Sequence, residues 1–246
     1  MAAAGEHSPM EQFSINRWVP LRIGGLDVSL TNSAMCMIGI GVVATLFLVY
    51  AMRPRAMVPG RLQSAAEMLY EFVANILRET VGTAGRPYFP LVFTLFLFIL
   101  MANLFGMLPY SFTVTSHIAV TFAMALMVFV LVTVLAFMKH GLHFLGFFVP
   151  KGVPWPMLFL LVPIEVLSYL IRPISLSVRL FANMTAGHTM LKVFGGFVVK
   201  MGIFGVLPLA LIVVLTPLEV LIACLQAYVF TVLTCLYLND AIHMEH

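Results

Sequence analysis

Five apolar runs, at about 34–52, 90–108, 116–138, 155–200 and 206–238, dictate most of what this chain can become. Each is long enough to cross bilayer hydrocarbon as a helix, which takes about 20 residues with a range of roughly 17–25. Composition agrees: hydrophobic residues make up 62% of the 246 and charged residues only 9%, whereas a soluble domain carries about 25% charge. The expected fold is an all-α integral membrane protein with five transmembrane helices in one membrane domain, 1–246. The last two runs are longer than a perpendicular crossing requires, so they should be strongly tilted, bent or partly outside the hydrocarbon. Pro163 and Pro173 offer places to bend. The opening MAAAGEHSPMEQF lacks the basic and apolar regions of a cleaved signal, so the first run is expected to remain as a helix preceded by an external segment, 1–33.

One segment has a different pattern. Across 61–85, Leu62, Ala66, Leu69, Val73, Ile76 and Leu77 fall on one stripe, and Gln63, Glu67, Glu71, Asn75 and Arg78 on another. This predicts an amphipathic helix at the membrane surface or against a partner. Basic residues supply an orientation. Arg53, Arg55 and Arg61 follow the first run, Arg78 and Arg86 precede the second, and Lys139 and Lys151 follow the third. If every run crosses once, all of these share a side, which should be the cytoplasmic one. The N-terminus is then outside and the C-terminal NDAIHMEH inside, with Lys192 and Lys200 running against the bias.

Several function classes are excluded. A net charge of +3 with scattered basic residues gives no footprint for nucleic acid. Cys36, Cys224 and Cys235 sit in apolar runs without metal-ligand spacing and read as small buried hydrophobes. No GxxxxGK[ST] loop, metal-ligand cluster or nucleophile with a base is present. No cofactor, metal or catalytic residue is expected, so the chain is not itself an enzyme.

The chemistry concentrates on the two long helices. Arg179 lies inside SLSVRLFANMTAGHTM, where an isolated Arg costs at least about 2.5–3.5 kcal/mol on insertion scales. It needs an anion, and Glu165 is fourteen residues upstream, about 21 Å of helix at ~1.5 Å per residue. Either a partner supplies the anion or the guanidinium snorkels and binds backbone carbonyls. Glu165, Ser168, Arg172, Ser175, Arg179 and Asn183 form one polar stripe at about 100° per residue. His188 points elsewhere. On the last run, Glu219, Gln226 and Tyr237 share a face, with Asp240 about 60° away.

Counting along an antiparallel pair groups these residues. With His188 level with Glu219, Arg179 falls near position 228, close to Gln226, and Glu165 near position 242, close to Asp240. Two polar clusters result, with Arg179 between them. A histidine and carboxylates can exchange protons near physiological pH when their surroundings tune them. They can equally satisfy one another between packed helices, and the residues alone leave both readings open.

PISLSVRLFANMTAGH at 173–188 and PLEVLIACLQAYVFTVLTCLYLND at 217–240, with RLQSAAEMLYEFV, NLFGMLPYSF and VPIEVLSYLIRP upstream, resemble subunit a of the F-type ATP synthases over nearly the whole chain. The resemblance implies a proton-conducting stator subunit with two offset half-channels serving a ring of c subunits, each carrying a membrane-buried carboxylate. Arg179 matches the family's essential arginine, Asn183 and Gln226 its polar neighbours, His188 and Glu219 its outer pair, and Glu165 and Asp240 its inner acidic positions. The implied partners are the c-subunit ring, the peripheral-stalk b subunits, the F1 sector through the complex, and membrane lipid. The implied location is the bacterial inner membrane, with the mitochondrial inner membrane as alternative. Against these stand an autonomous transporter or channel using Arg179 for an anionic substrate, for which no inverted repeat is evident, and a non-conducting scaffold, which would leave the ladder of ionisable residues without a use.

Overall fold

The computed structural model describes residues 17–19, 22–23, 26–27, 29–53, 59–107, 113–149 and 155–243. The placement of both chain ends, Arg55, Lys151 and the last residue of the run at 90–108 lie outside the described residues. Among the described residues the fold is all-α apart from four short strands near the N-terminus. β1 (Arg17–Val19) pairs antiparallel with β4 (Leu30–Thr31), and β2 (Arg22–Ile23) with β3 (Leu26–Asp27). Six helices follow: α1 (Asn32–Met52), α2 (Arg61–Val81), α3 (Phe89–Gly106), α4 (Ile118–His140), α5 (Trp155–Lys200) and α6 (Val206–Ile242). By length and composition, five stretches can cross a membrane: Asn32–Met52, Arg61–Gly106, Ile118–His140, Met157–Lys200 and Gly202–Ile242.

Local chemistry sets the boundaries. Thr31 caps α1 by accepting the Ala34 N–H on Oγ1 at 3.3 Å, satisfying one of the amides a helix start leaves over. α2 stops at Gly82, whose φ of 72° lies in the left-handed region that favours glycine and whose N–H reaches back to the Arg78 carbonyl. A 3-10 segment, Gly82–Tyr88, then leads into α3. α5 runs for 46 residues through Pro163 and Pro173, about 69 Å of helix at ~1.5 Å per residue. A ~30 Å hydrocarbon core holds such a helix only if it tilts, bends or emerges.

The chain divides into two compact units, the first made of 1–49, 98–117 and 180–227, the second of 50–97, 118–179 and 228–246. In the first, Gly202 at φ 55° and Gly205 turn α5 into α6. A Cβ on Gly205 would sit 2.6 Å from the Val198 carbonyl oxygen, so the absence of a side chain is what permits the close return. Asn103 donates from Nδ2 to the Ala223 carbonyl at 3.1 Å, tying α3 to α6. In the second, α2 buries Ala66, Val73, Ile76, Leu77 and Val81, and its rings meet neighbours: Tyr70 against Phe89 at 4.6 Å and Phe72 against Phe96 and Tyr228, both at 5.8 Å. The apolar stripe thus packs mostly against the protein itself, although Leu62 stays exposed and Gln63, from the polar stripe, is buried.

Candidate functional site

In the first unit the α5–α6 hairpin brings His188 and Glu219 together, with exposures of only 9% and 6%. His188 Nδ1 stands 3.6 Å from Glu219 Oε1, about half an ångström beyond a good hydrogen bond. Neither Glu219 oxygen accepts a hydrogen bond among the described residues. Gly187 explains how the carboxylate fits there: a Cβ on it would lie 2.6 Å from Oε1. Two turns along α6, Gln226 is almost fully buried and accepts on Oε1 from Asn183 Nδ2 at 3.0 Å. A cavity of about 220 Å³ reaches from Asn183 to Gly187 and Glu219, its wall otherwise of apolar side chains such as Met184 and Ile222. Its polar wall groups could hold water between Glu219 and Asn183.

The first unit also holds groups that the sequence did not single out. The polar turn between α3 and α4 buries Thr113, Thr115 and Ser116. Thr113 Oγ1 meets His188 Nε2 at 3.3 Å, and Thr185 on α5 donates to the Ser116 carbonyl at 3.5 Å. The signal available was the cluster of Thr113, Thr115, Ser116 and His117, broken only by Val114, between two apolar runs.

In the second unit the grouping differs from the expected one. Asp240 is paired with Arg172, its Oδ2 2.8 Å from Nη1. Arg172 is seven residues beyond Glu165 on α5, and its longer side chain reaches a carboxylate that residue counting assigns to a position lower on the helix. The guanidinium carbon also lies 5.3 Å from the Tyr169 ring centroid and 5.2 Å from that of Tyr237, within cation–π range. Tyr169 is fixed in turn by a 2.8 Å contact with Thr133. Because the Thr133 hydroxyl donates to the Phe129 carbonyl, the tyrosine is the donor of that bond. Glu165 is half-buried and makes no hydrogen bond or ion pair among the described residues.

Arg179 is also in the second unit. Leu176 and Ser177 before it are buried, and Ser177 Oγ meets Thr121 of α4 at 3.2 Å. That contact turns the opposite face outward, so Ile174, Ser175, Val178 and Arg179 are exposed. Among the described residues Arg179 has no hydrogen bond or ion pair. Its charge does act on the Tyr237 hydroxyl, a group that does not supply a negative charge at ordinary pH. The arrangement therefore comprises a loosely joined buried acid and base, an amide pair, a tightly held arginine–carboxylate pair, and an exposed arginine on an apolar helix.

The model of the family described as ATP synthase A chain matches residues 33–239. ATP synthase subunit a of Mesorhizobium japonicum is 59% identical over 251 aligned positions, covering 99% of this chain and all of that protein. The subunit a of Rhodospirillum rubrum is 56% identical, with 97% and 100% covered, and that of Rhizobium etli 58%, with 96% and 98% covered.

Proposed function

The chain belongs to the ATP synthase A chain family, and from that premise we propose that it is the proton-conducting stator subunit of the membrane sector, working beside a ring of c subunits. The observation that carries this reading is Arg179, exposed on an apolar helix and without an anionic partner among the described residues. A cation so placed in hydrocarbon is costly without a partner, and a membrane-buried carboxylate on a ring subunit answers that need.

The mechanism follows from charge. Protons enter past Glu219 and His188, aided by the polar lining of Asn183 and Gln226, and neutralise a ring carboxylate, which allows it to move through lipid. When the carboxylate returns to Arg179, the positive charge favours its ionised form and releases the proton toward Glu165 and Asp240. The same charge stops a continuous proton path, because a passing cation meets like charge at low dielectric. Arginine suits the task because it stays charged in any surroundings. ATP chemistry belongs to partner subunits, and this chain is non-catalytic. The outward face of α2, with Glu71, Asn75 and Arg78 exposed, is the docking surface for the peripheral stalk. The site of action is the bacterial inner membrane, with the N-terminus outside and the C-terminus in the cytoplasm.

Purification in mild detergent tests the reading. Co-isolation with a small two-helix ring protein is expected; a solitary chain that carries an anionic substrate in vesicles would replace the stator with a transporter. A cysteine at Ala3 should react with an impermeant reagent only from outside, and one at His246 only from inside. Labelling from the same side would refute the orientation.

A further inference from the structure

We propose that Thr113 is a positioning residue for the His188–Glu219 pair, holding the imidazole in the tautomer that presents a bare Nδ1 to the carboxyl group. This deepens the proton-entry reading above and rests on it. Thr113 is buried at the start of the turn that joins α3 to α4. Its hydroxyl has one proton and two lone pairs. The proton is directed to the Gly106 carbonyl at 3.4 Å. The oxygen is then an acceptor toward His188 Nε2 at 3.3 Å, which places the ring hydrogen on Nε2. In a neutral imidazole the other nitrogen is therefore a lone pair. That nitrogen, Nδ1, faces Glu219 Oε1.

The turn is built to keep the hydroxyl there. Ser116 donates from Oγ to the Thr113 carbonyl at 2.6 Å, and the Ser116 amide reaches the same oxygen at 3.3 Å. Thr185, one turn before His188 on α5, donates to the Ser116 carbonyl. Gly106 leaves the space that the threonine methyl occupies, since a Cβ on it would sit 2.8 Å from Cγ2.

The consequence is a one-proton exchange with a defined direction. The O–H bond of the protonated Glu219 carboxyl breaks as an N–H bond forms at Nδ1. Negative charge remains on the carboxylate, positive charge spreads over the imidazolium, and the Nε2–H bond to Thr113 is untouched. Without the hydroxyl, the ring can flip or exchange tautomers, and an Nδ1–H facing Glu219 cannot accept the proton. Among the described residues, Lys192, one turn further along α5, acts on the ring by its charge, α6 contributes Glu219, and the segment that carries Thr113 contributes His117, four residues on.

The test uses the complete ATP synthase in vesicles, with proton uptake measured across a pH series on the His188 side. Thr113→Val keeps the shape and removes the hydroxyl. It should slow uptake about fivefold, the size one neutral hydrogen bond confers, and move the midpoint of the pH profile. Thr113→Ser should restore both, and Thr113→Val should add nothing in a His188→Ala background. A wild-type midpoint in Thr113→Val, a Thr113→Ser variant as slow as the valine, or additive effects with His188→Ala would each overturn the assignment of Thr113 while leaving the entry pair standing. Wild-type uptake in both His188→Ala and Glu219→Ala would remove the entry pair itself, and the role of Thr113 with it.

Discussion

α5 and α6 supply the charged groups of both candidate clusters, one in each unit, yet the two sets are satisfied to very different degrees. Around Arg172 every feature speaks of fixed geometry: a 2.8 Å ion pair to Asp240, a tyrosine ring at about the same distance on either of two neighbours, and one of those tyrosines bonded to Thr133. Around His188 the acid and base stop at 3.6 Å, both carboxyl oxygens are buried without a described hydrogen bond, and a cavity opens beside them. A fully satisfied network rigidifies what it joins, whereas a buried group left short of partners is costly and so is ready to change protonation state. On the proposed reading, the difference separates a clamp from a relay. On that reading it also divides Glu165 from Asp240: Asp240 is occupied by Arg172, which makes Glu165 the proposed proton acceptor in the second unit.

Breaking the relay should have the larger effect on transport. His188→Ala or Glu219→Ala should lower proton flux about a hundredfold, the lower end of what one acid–base group contributes, while the complex still assembles. Flux at the wild-type level in both would reduce the pair to packing. Gly187→Ala tests the fit of the carboxylate alone. Alanine raises helix propensity by about 0.8–1.0 kcal/mol over glycine, yet its methyl would sit on Glu219 Oε1. Flux should therefore fall several-fold with no loss of thermal stability, and a normal rate would show that the position of the carboxylate is not critical.

Much of this was legible in the sequence, and what was not has identifiable causes. The five spanning stretches follow from apolar length, a property that tertiary packing cannot disguise. The amphipathic helix expected over 61–85 forms but stops at Val81, where Gly82 ends it, and the meeting of His188 with Glu219 was the premise of the antiparallel count, not its result. The count did not anticipate the Arg172–Asp240 pair because it measures backbone height, whereas Arg172 reaches along the helix by several ångströms of flexible side chain. Thr113 was hidden for a different reason. Its value comes from a turn folded against α5 by Ser116 and Thr185, and no periodicity encodes such an approach. The paired strands before α1 are only two or three residues long, too short to leave an alternating pattern.

The two inner acids sharpen the comparison further. Proton release should slow more in Glu165→Gln than in Asp240→Asn, measured as the rate of rotation-coupled proton exit; the reverse order would mean that the Arg172 pair opens during turnover. Arg172→Lys should have the smallest effect. It keeps the charge but loses the planar group between two rings, in a pair whose side chains are 26% and 39% exposed. The loss should be about 0.5–1 kcal/mol of stability, read as a lower dissociation temperature of the complex with flux nearly unchanged. A large drop in flux would make the clamp part of the proton path.

The central claim is that Arg179 completes its electrostatics with a carboxylate from another subunit. Its most direct test is proton-driven ATP synthesis by reconstituted complexes carrying Arg179→Ala, with passive proton leak recorded on the same vesicles. The expected result is an assembled complex that makes no ATP and leaks at least as fast as wild type, with Arg179→Lys also failing to couple because an ammonium can lose its proton in an apolar site. Near-normal coupled synthesis by Arg179→Ala would contradict the account.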